Sequence, residues 1–205
     1  RLIQDGVGPK MLEEITKDVM ALLGTSLAIY ERNGDYAFGM FVSGWCQIMD
    51  LSSWARCGVE DNREALRCGR WLCHENCWND SAKAAMERGE ATDIPCVGGI
   101  RLYAEPIWAG DEIVGVINIG YGDPPRDPAT LSRLAAQFGT SEEELRRAAE
   151  AYHPRPAFIV DLAKARLRSA AKLIGEILER KRQAEALQRS EERYRGLHDA
   201  MSEGG

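Results

Sequence analysis

Apolar residues recur at helical spacing near the start of the chain. Met11, Ile15 and Val19 are spaced four residues apart, so they would share one face of a helix. The segment follows Gly8-Pro9 and ends at Gly24. Proline at the first helical position and glycine just past the end are typical helix boundaries. The pattern predicts an amphipathic helix from about residue 9 to residue 23.

Short apolar runs predict strands on both sides of the middle of the chain. The first two runs flank Asn33-Gly34, which is the strongest short-range signal for a β-hairpin. The last two are joined across Ala109-Gly110-Asp111. We expect a largely antiparallel sheet of about five strands, at 27–31, 36–41, 94–97, 100–107 and 112–121.

The remaining segments are typical of helices. Short helices are predicted between the two groups of strands, at about 47–56, 63–66 and 80–88, with Asn79 as the N-cap of the last. After Pro124-Pro125, Asp127-Pro128 begins a helix to about Phe138. Ser141 and Glu144 have the spacing of a capping box for the next helix, which ends near Tyr152.

One long helix is predicted from residue 157 to about residue 200, where no Gly-Pro break occurs. It carries a partial heptad, which Arg180 and Glu191 interrupt. We expect a two-helix coiled coil, and the alternative is a single amphipathic helix packed on its own domain. The a positions are Ala170, Ile177, Ala184, Glu191 and His198, and the d positions are Leu173, Arg180, Leu187, Tyr194 and Met201.

Composition excludes several classes of protein. The chain has 205 residues, of which 44% are hydrophobic and 28% charged, so disorder is excluded. A net charge of -6 argues against nucleic acid as a partner. The longest charge-free stretches, 19–30 and 37–49, are shorter than the ~20 apolar residues of a membrane span. Six cysteines are too sparse for a disulfide-dependent miniprotein, so we expect a cytoplasmic protein. A start at Arg1 without a signal segment indicates a fragment of a longer chain.

All six cysteines and all five tryptophans lie between Trp45 and Trp108. Thiolate and imidazole are ligands that Zn and Fe prefer, so this region is a candidate metal site. The spacing lacks the C-x2-C pairs of zinc ribbons, and buried core cysteines are the alternative. The candidate metal ligands are Cys68, Cys73, His74, Cys77 and Cys96.

A second interpretation makes Cys77 and Cys96 pocket thiols that contact a ligand or form a redox pair. Cys77 would lie near a helix N-terminus before Asn79, where the helix dipole lowers a thiol pKa. A Cys-His nucleophile would have to use His74, a neighbour in sequence, so we do not expect an enzyme. Trp71 and Trp78 could wall a small-molecule pocket or belong to the core.

Several segments resemble the PocR sensory domain, a module of the PAS/GAF type. They are residues 77–82, 93–99, 104–107 and 114–120, and the resemblance covers roughly residues 1 to 178. It implies an α/β (α+β) fold with a central antiparallel sheet and a non-catalytic role in binding small organic compounds. The family has a histidine directly after the second cysteine, and Val97 stands at that position here. His74 is the candidate to replace that histidine as a ligand contact. We take Cys57 as the earlier family cysteine. The resemblance and the aromatic pocket interpretation together give the predicted ligand-binding residues, which are Cys57, Trp71, His74, Cys77, Trp78, Cys96, Gly98 and Tyr103.

Residues 186–197 resemble the helix that enters a following PAS domain in sensor histidine kinases. The resemblance implies a sensor domain at 1–156 and a signalling helix at 157–205 that forms a homodimer and leads to downstream PAS and kinase domains. The leading hypothesis is a small-molecule sensory domain of a two-component system. The alternative is a metal- or redox-sensing cluster, with Zn or Fe, that uses the same helix.

Overall fold

A computed structural model describes residues 1–203 as a five-stranded sheet between two helical layers. All neighbouring strands are antiparallel, in the order β2-β1-β5-β4-β3, so the predicted α+β class is confirmed. The likeness to PAS or GAF domains stays a prediction. The strands are β1 Ser26–Glu31, β2 Tyr36–Phe41, β3 Thr92–Pro95, β4 Arg101–Ala109 and β5 Glu112–Tyr121.

The helices follow the local signals closely. Pro9 occupies the first turn of α2, and Gly24 ends that helix in the left-handed conformation, with φ 63°. Ser141 and Glu144 form the expected capping box of α8. The helices are α1 Leu2–Val7, α2 Pro9–Leu23, α3 Gly44–Ala55, α4 Asn62–Ala65, α5 Leu72–Glu75, a π-helix Asn76–Ala82, α6 Lys83–Arg88, α7 Pro128–Phe138, α8 Glu142–Ala151 and α9 Ala157–Glu203.

The segment from α5 through the π-helix to α6 is continuous, which corrects the predicted helix start at Asn79. Asn79 lies inside the π-helix, where its Nδ2 donates to Oε2 of Glu75 at 2.5 Å. An N-cap side chain accepts a hydrogen bond from a backbone N–H of the first helical turn, whereas the Asn79 side chain donates to a carboxylate one turn earlier. The N-cap prediction is therefore wrong, because the helix has already begun at Leu72.

The outer face of the sheet, as we call the face that contacts α1, α2 and α9, carries the main aliphatic core. Ile29, Ile117 and Ile119 from the strands pack there with Leu167 and Ile174 of α9. Near its start α9 lies beside the end of α2, since Nε of Arg155 donates to the carbonyl of Leu22 at 2.9 Å.

Helix α9 has a packed half and an exposed half. Its buried residues end at Leu178, and they are Ala163, Leu167, Ala170, Ala171, Ile174, Gly175 and Leu178. Leu173, a predicted d position, is 45% exposed, so the domain itself covers a different stripe of the helix. The interpretation as an amphipathic helix packed on its own domain therefore fits the first half. Beyond Leu178, the d positions Leu187, Tyr194 and Met201 are exposed, and a coiled coil there stays a prediction. Gly204 and Gly205 lie outside the described residues.

The inner face of the sheet contacts the π-helix and α6, and α3 packs with α7 and α8 in a second core. This second core contains Trp45, Met49 and Phe138. Within residues 1–203, none of the helices combines the length and apolar character that a bilayer crossing needs.

Candidate functional site

A small cavity lies between the inner face of the sheet and the helical layer. Its volume is about 10 Å³, which is room for about one water molecule. Its walls mix apolar strand residues with polar and sulfur-bearing groups. The wall residues that carry the chemistry are Tyr30, Tyr36, Asp50, Cys73, Cys77 and Asn118.

An open cleft of about 450 Å³ lies beside this cavity. This volume is in the range of small-molecule sites. Tyr36, Phe41 and Asp50 line both the cleft and the cavity, so these three side chains separate the two spaces. The other cleft residues are Gly39, Leu51, Trp54, Asn62 and Trp71.

Asp50 of α3 is the ionisable group shared by the cleft and the cavity. Burial raises the pKa of its carboxyl to about 6, against the lowering effect of a hydrogen bond from Trp71. In that bond Nε1 of Trp71 donates to Oδ1 at 2.8 Å. The side chain therefore changes charge near neutral pH, where most aspartates stay ionised.

Two buried tyrosines and His74 form a ring cluster behind Asp50. The hydroxyl groups of Tyr30 and Tyr36 lie 3.3 Å apart, and Nδ1 of His74 lies 3.5 Å from the Tyr36 hydroxyl. Burial lowers the pKa of His74 to about 4, so the imidazole is neutral at pH 7. The ring of His74 also lies 5.3 Å from that of Trp71. His74 is therefore brought next to the cavity as a neutral packing and hydrogen-bonding group.

The π-helix is held to the sheet by two asparagines. Oδ1 of Asn76 accepts a hydrogen bond from the backbone N–H of Val97 at 2.9 Å. Nδ2 of Asn118, on β5, donates to the carbonyl of Cys77 at 3.3 Å. Short π-helical segments occur frequently at functional sites. Here the segment carries Cys77 to the cavity wall.

The free thiols at the cavity are protonated. Burial raises the pKa of Cys73 and of Cys77 well above the ordinary value for cysteine. The predicted pKa-lowering of Cys77 by a helix N-terminus is wrong, since Cys77 lies within a continuous helical segment. Proton retention makes both side chains weak nucleophiles.

The remaining cysteines are divided between a disulfide and the second core. Cys57 and Cys68 form a disulfide, with their Cα atoms 5.7 Å apart. This corrects the predictions of Cys57 as a pocket thiol and of Cys68 as a metal ligand, because neither sulfur is free. Sγ of Cys96 accepts from the N–H of Gly98 at 3.3 Å and packs against the second core.

The proposed metal ligands do not converge. Among the described residues, no group of three or more His, Cys, Asp or Glu side chains could hold a metal ion. The set Cys68, Cys73, His74, Cys77 and Cys96 is distributed over the disulfide, the cavity, the ring cluster and the second core. These five residues therefore do not form one metal-binding group in the described part of the chain.

Of the eight predicted ligand-binding residues, Trp71 and Cys77 line the cleft or the cavity, and His74 lies behind them. Trp78 instead packs on Tyr30, with ring centroids 5.4 Å apart. The carbonyl of Gly98 accepts from Nε1 of Trp45 in the second core, at 3.0 Å. Tyr103 lies on the outer face, because side chains alternate along a strand and its neighbour Leu102 lines the cavity.

Sequence reasoning missed Tyr30, Tyr36, Asp50 and Asn118. Two of them had a readable signal. Ser26, Ala28 and Tyr30 alternate along β1 and so share one face, and Asn118 is a lone polar residue in the apolar run 114–119. Asp50 had no such signal, since its position beside β2 depends on how α3 packs.

Comparisons with known proteins agree with the resemblance seen in the sequence. Residues 5–180 match the family described as the sensory domain found in PocR. No curated protein and no solved structure gives a significant match. Because the family match spans most of the chain, the chain belongs to the family of sensory domains found in PocR.

Proposed function

We propose that this chain is the small-molecule sensor of a two-component signalling protein, which passes ligand binding through α9 to a downstream histidine kinase. The observation that carries the proposal is the arrangement of the two faces of the sheet. The cleft and cavity lie on the inner face, and α9 packs on the outer face of the same sheet. A ligand that shifts the strands therefore acts directly on the helix.

Strand β3 offers one route through the sheet. Oγ1 of Thr92 donates to the carbonyl of Ser81, in the π-helix, at 3.1 Å. The next residue, Asp93, accepts from Nζ of Lys164, in α9, at 2.6 Å. Adjacent residues of a strand point to opposite faces, so β3 contacts the cavity layer with one side chain and α9 with the other.

A second set of contacts ties the start of α9 to β4 and β5. Nζ of Lys164 lies 4.4 Å from the ring centroid of Tyr121. Nη1 of Arg168 donates to the hydroxyl of Tyr103 at 3.2 Å. Movement of these strands would change the position or the register of the first half of α9.

The exposed half of α9 supports the dimer part of the proposal. Leu187, Tyr194 and Leu197 are all more than half exposed. A second copy that pairs along this stripe would bury them and place two output domains side by side. We propose that following PAS and kinase domains receive the signal there.

We further propose that the domain itself is not an enzyme. A nucleophilic cysteine needs a thiolate and a nearby base. Burial keeps the pKa of Cys73 and of Cys77 high, and burial also lowers the pKa of His74 to about 4. The two thiols and the imidazole are thus all neutral at pH 7.

The alternative function is metal or redox sensing by the cysteines. It is favoured by the grouping of Cys73, Cys77 and Cys96, which lie close enough for ionisation of one to oppose ionisation of another. Native mass spectrometry of anaerobically purified chain distinguishes it from organic-ligand sensing. Stoichiometric Zn or Fe would support the alternative, and metal-free protein with a retained organic molecule would contradict it.

A cytoplasmic location is part of the main proposal. A reducing compartment keeps most thiols free. We therefore expect the free cysteines Cys46, Cys73, Cys77 and Cys96 to be alkylated when cells are lysed directly into denaturant with an alkylating reagent, with the Cys57–Cys68 disulfide as the exception. Oxidation of these four thiols in cells would contradict a cytoplasmic location.

The ligand proposal is tested by the indole N–H signals of the tryptophans in an NMR screen of small organic compounds. Trp54 and Trp71 line the cleft, and Trp108 lies on the surface outside it. Compounds bound as proposed shift the first two signals and leave the signal of Trp108 unchanged. A screen in which every hit moves Trp108 and none moves Trp54 or Trp71 would contradict the assignment of the cleft.

A further inference from the structure

The cleft contains a carboxylate without a compensating positive charge. Asp50 is half-buried there, and no lysine, arginine or histidine is among the described residues that line the cleft. Its Oδ1 accepts from the indole of Trp71, which is a neutral donor. Buried charges in proteins are usually paired, so the cleft lacks the partner that this carboxylate would normally have.

The walls around Asp50 are aromatic. Tyr36, Trp54 and Trp71 line the cleft, and the ring centroids of Tyr36 and Trp71 lie 6.2 Å apart with their planes tilted by 38°. Hydrogen bonds hold both indoles, from Trp54 to Oδ1 of Asn62 at 3.1 Å and from Trp71 to Asp50. Aromatic faces attract cations, and alkylated ammonium groups are recognised by such walls.

The dimensions favour the cleft over the small cavity as the binding place. The cavity, at about 10 Å³, has no room for an organic group, whereas the cleft has about 450 Å³. An anionic ligand would be repelled by ionised Asp50. A neutral ligand without a hydrogen-bond donor would remove water from the carboxylate without replacing its lost hydration.

From these observations we propose that the cleft binds a small organic cation of the alkylammonium class, with Asp50 as its counter-ion and Tyr36, Trp54 and Trp71 as its aromatic walls. The inference rests on the proposed sensory function and specifies the chemical class of the ligand.

Asp50 is the group near the cleft whose charge changes around neutral pH. Tyr30 and Tyr36 face it from β1 and β2, and burial raises the pKa of both phenols. Cys46, Cys73 and Cys77 face it from α3, α5 and the π-helix with raised pKa values, and His74 of α5 has a pKa of about 4. All of these are neutral between about pH 5 and pH 8, where Asp50, with a pKa of about 6, ionises. Cation affinity should therefore rise with pH across this window.

The test compares choline with 3,3-dimethylbutan-1-ol, a probe of the same shape in which carbon replaces the charged nitrogen. Affinities are measured by calorimetry, and the binding place by the indole signals of Trp54 and Trp71. We expect choline to bind about tenfold more tightly at pH 8, as one unscreened charge contact allows. This preference should decrease at pH 5.

The variant Asp50→Asn keeps an acceptor for Trp71 and removes the charge, so it should abolish the preference for choline. Asp50→Glu should retain part of it, and Asp93→Asn, which removes a carboxylate on the outer face, is the matched control and should retain it fully. If Asp50→Asn is poorly folded, the pH dependence of the wild-type chain still decides the matter.

Equal affinity for the two probes, an unchanged preference in Asp50→Asn, or the absence of choline binding would each overturn the cation proposal. The sensory function fails on a different result. Neutral compounds that move the signal of Trp71 would support it even when choline does not bind, and a screen without hits in the cleft would contradict it.

Discussion

The two faces of the sheet differ in chemistry although the same strands build both. On the outer face, isoleucine and leucine side chains from β1, β5 and α9 are fully buried, and the buried carboxylate of Glu31 accepts hydrogen bonds from the backbone N–H groups of Ile3 and Gln4. On the inner face, Tyr30, Asp50 and Asn118 surround a space that the chain does not fill. The comparison indicates that the outer face supplies stability and that the inner face holds the candidate binding site.

Two aspartates show the same contrast in charge. Burial raises the pKa of Asp93, but hydrogen bonds from Lys164, Tyr121 and Arg101 outweigh it, so the pKa is lowered overall. Burial dominates at Asp50, whose pKa is raised to about 6. A carboxylate on the outer face is thus held charged, and one on the inner face is left uncompensated.

The largest expected effect is a difference in the free energy of unfolding between variants of two adjacent residues of β5. Ile117→Ala on the outer face should lower the free energy of unfolding by about 2–5 kcal/mol, since it opens a void in a close-packed core. Asn118→Ala, the matched change on the inner face, removes one hydrogen bond to Cys77 and should cost about 1 kcal/mol. Urea unfolding of both variants tests the difference. Equal losses would mean that the inner face is packed as tightly as the outer.

The variant Asp50→Asn should make the chain more stable at neutral pH. Because the pKa of Asp50 is higher in the folded chain, the unfolded chain ionises first as pH rises. The native state therefore loses stability between about pH 4 and about pH 6. The loss is up to about 3 kcal/mol for a shift of this size. We therefore expect the variant to unfold at higher urea concentration than wild type at pH 8 and at the same concentration below pH 4. A variant less stable than wild type at pH 8 would contradict this origin of the pKa shift.

Gly175→Ala should loosen α9 from the sheet. A Cβ at this position would overlap the carbonyl oxygen of Trp108 at the end of β4, so the helix must move. Overpacking of this kind costs about 1–3 kcal/mol. Gly196→Ala is the control, because a Cβ there meets nothing within 4 Å. Hydrogen exchange in the first half of α9 should accelerate in the first variant only, and equal protection in both would argue against close contact at Gly175.

The smallest effect is expected at the outer aspartate. Asp93→Asn breaks a partly exposed ion pair with Lys164 and should cost below about 1 kcal/mol at pH 7. Because the folded-state pKa is lowered, the stabilisation is present above the ordinary aspartate pKa and is lost as pH falls below about 4. The difference between wild type and variant should thus vanish in acid, opposite to Asp50→Asn. A difference that persists at pH 2 would show that packing, not charge, is responsible.

Local signals predicted most of the secondary structure but little of the site. Asn33-Gly34 predicted the hairpin of β1 and β2, and Ser141 with Glu144 predicted the start of α8. These signals act within a few residues, so the sequence around them is sufficient. Asp50 and Tyr36 are distant in sequence from Cys77, and only the packing of α3 and β2 against the helical layer brings them to one cavity.

The cysteines show where residue type alone is insufficient. Six cysteines in one region predicted concentrated chemistry, yet their roles depend on which neighbours each one meets. Cys57 pairs with Cys68, whereas Cys73 and Cys77 are buried as thiols at the cavity. Burial then raises the pKa of Cys77, contrary to the expectation from its position in the sequence.

The sequence by itself determined the order of strands and helices, the length of α9 and the membership of the family, because periodicity, caps and family motifs are properties of neighbouring residues. The tertiary structure decided which side of each strand faces the cavity and which stripe of α9 is covered. It also decided that the described residues lining the cleft around Asp50 include aromatic rings and no lysine, arginine or histidine. Those features arise from contacts between segments far apart in the chain, and burial, which sets the pKa and packing of each group, exists only after those segments meet.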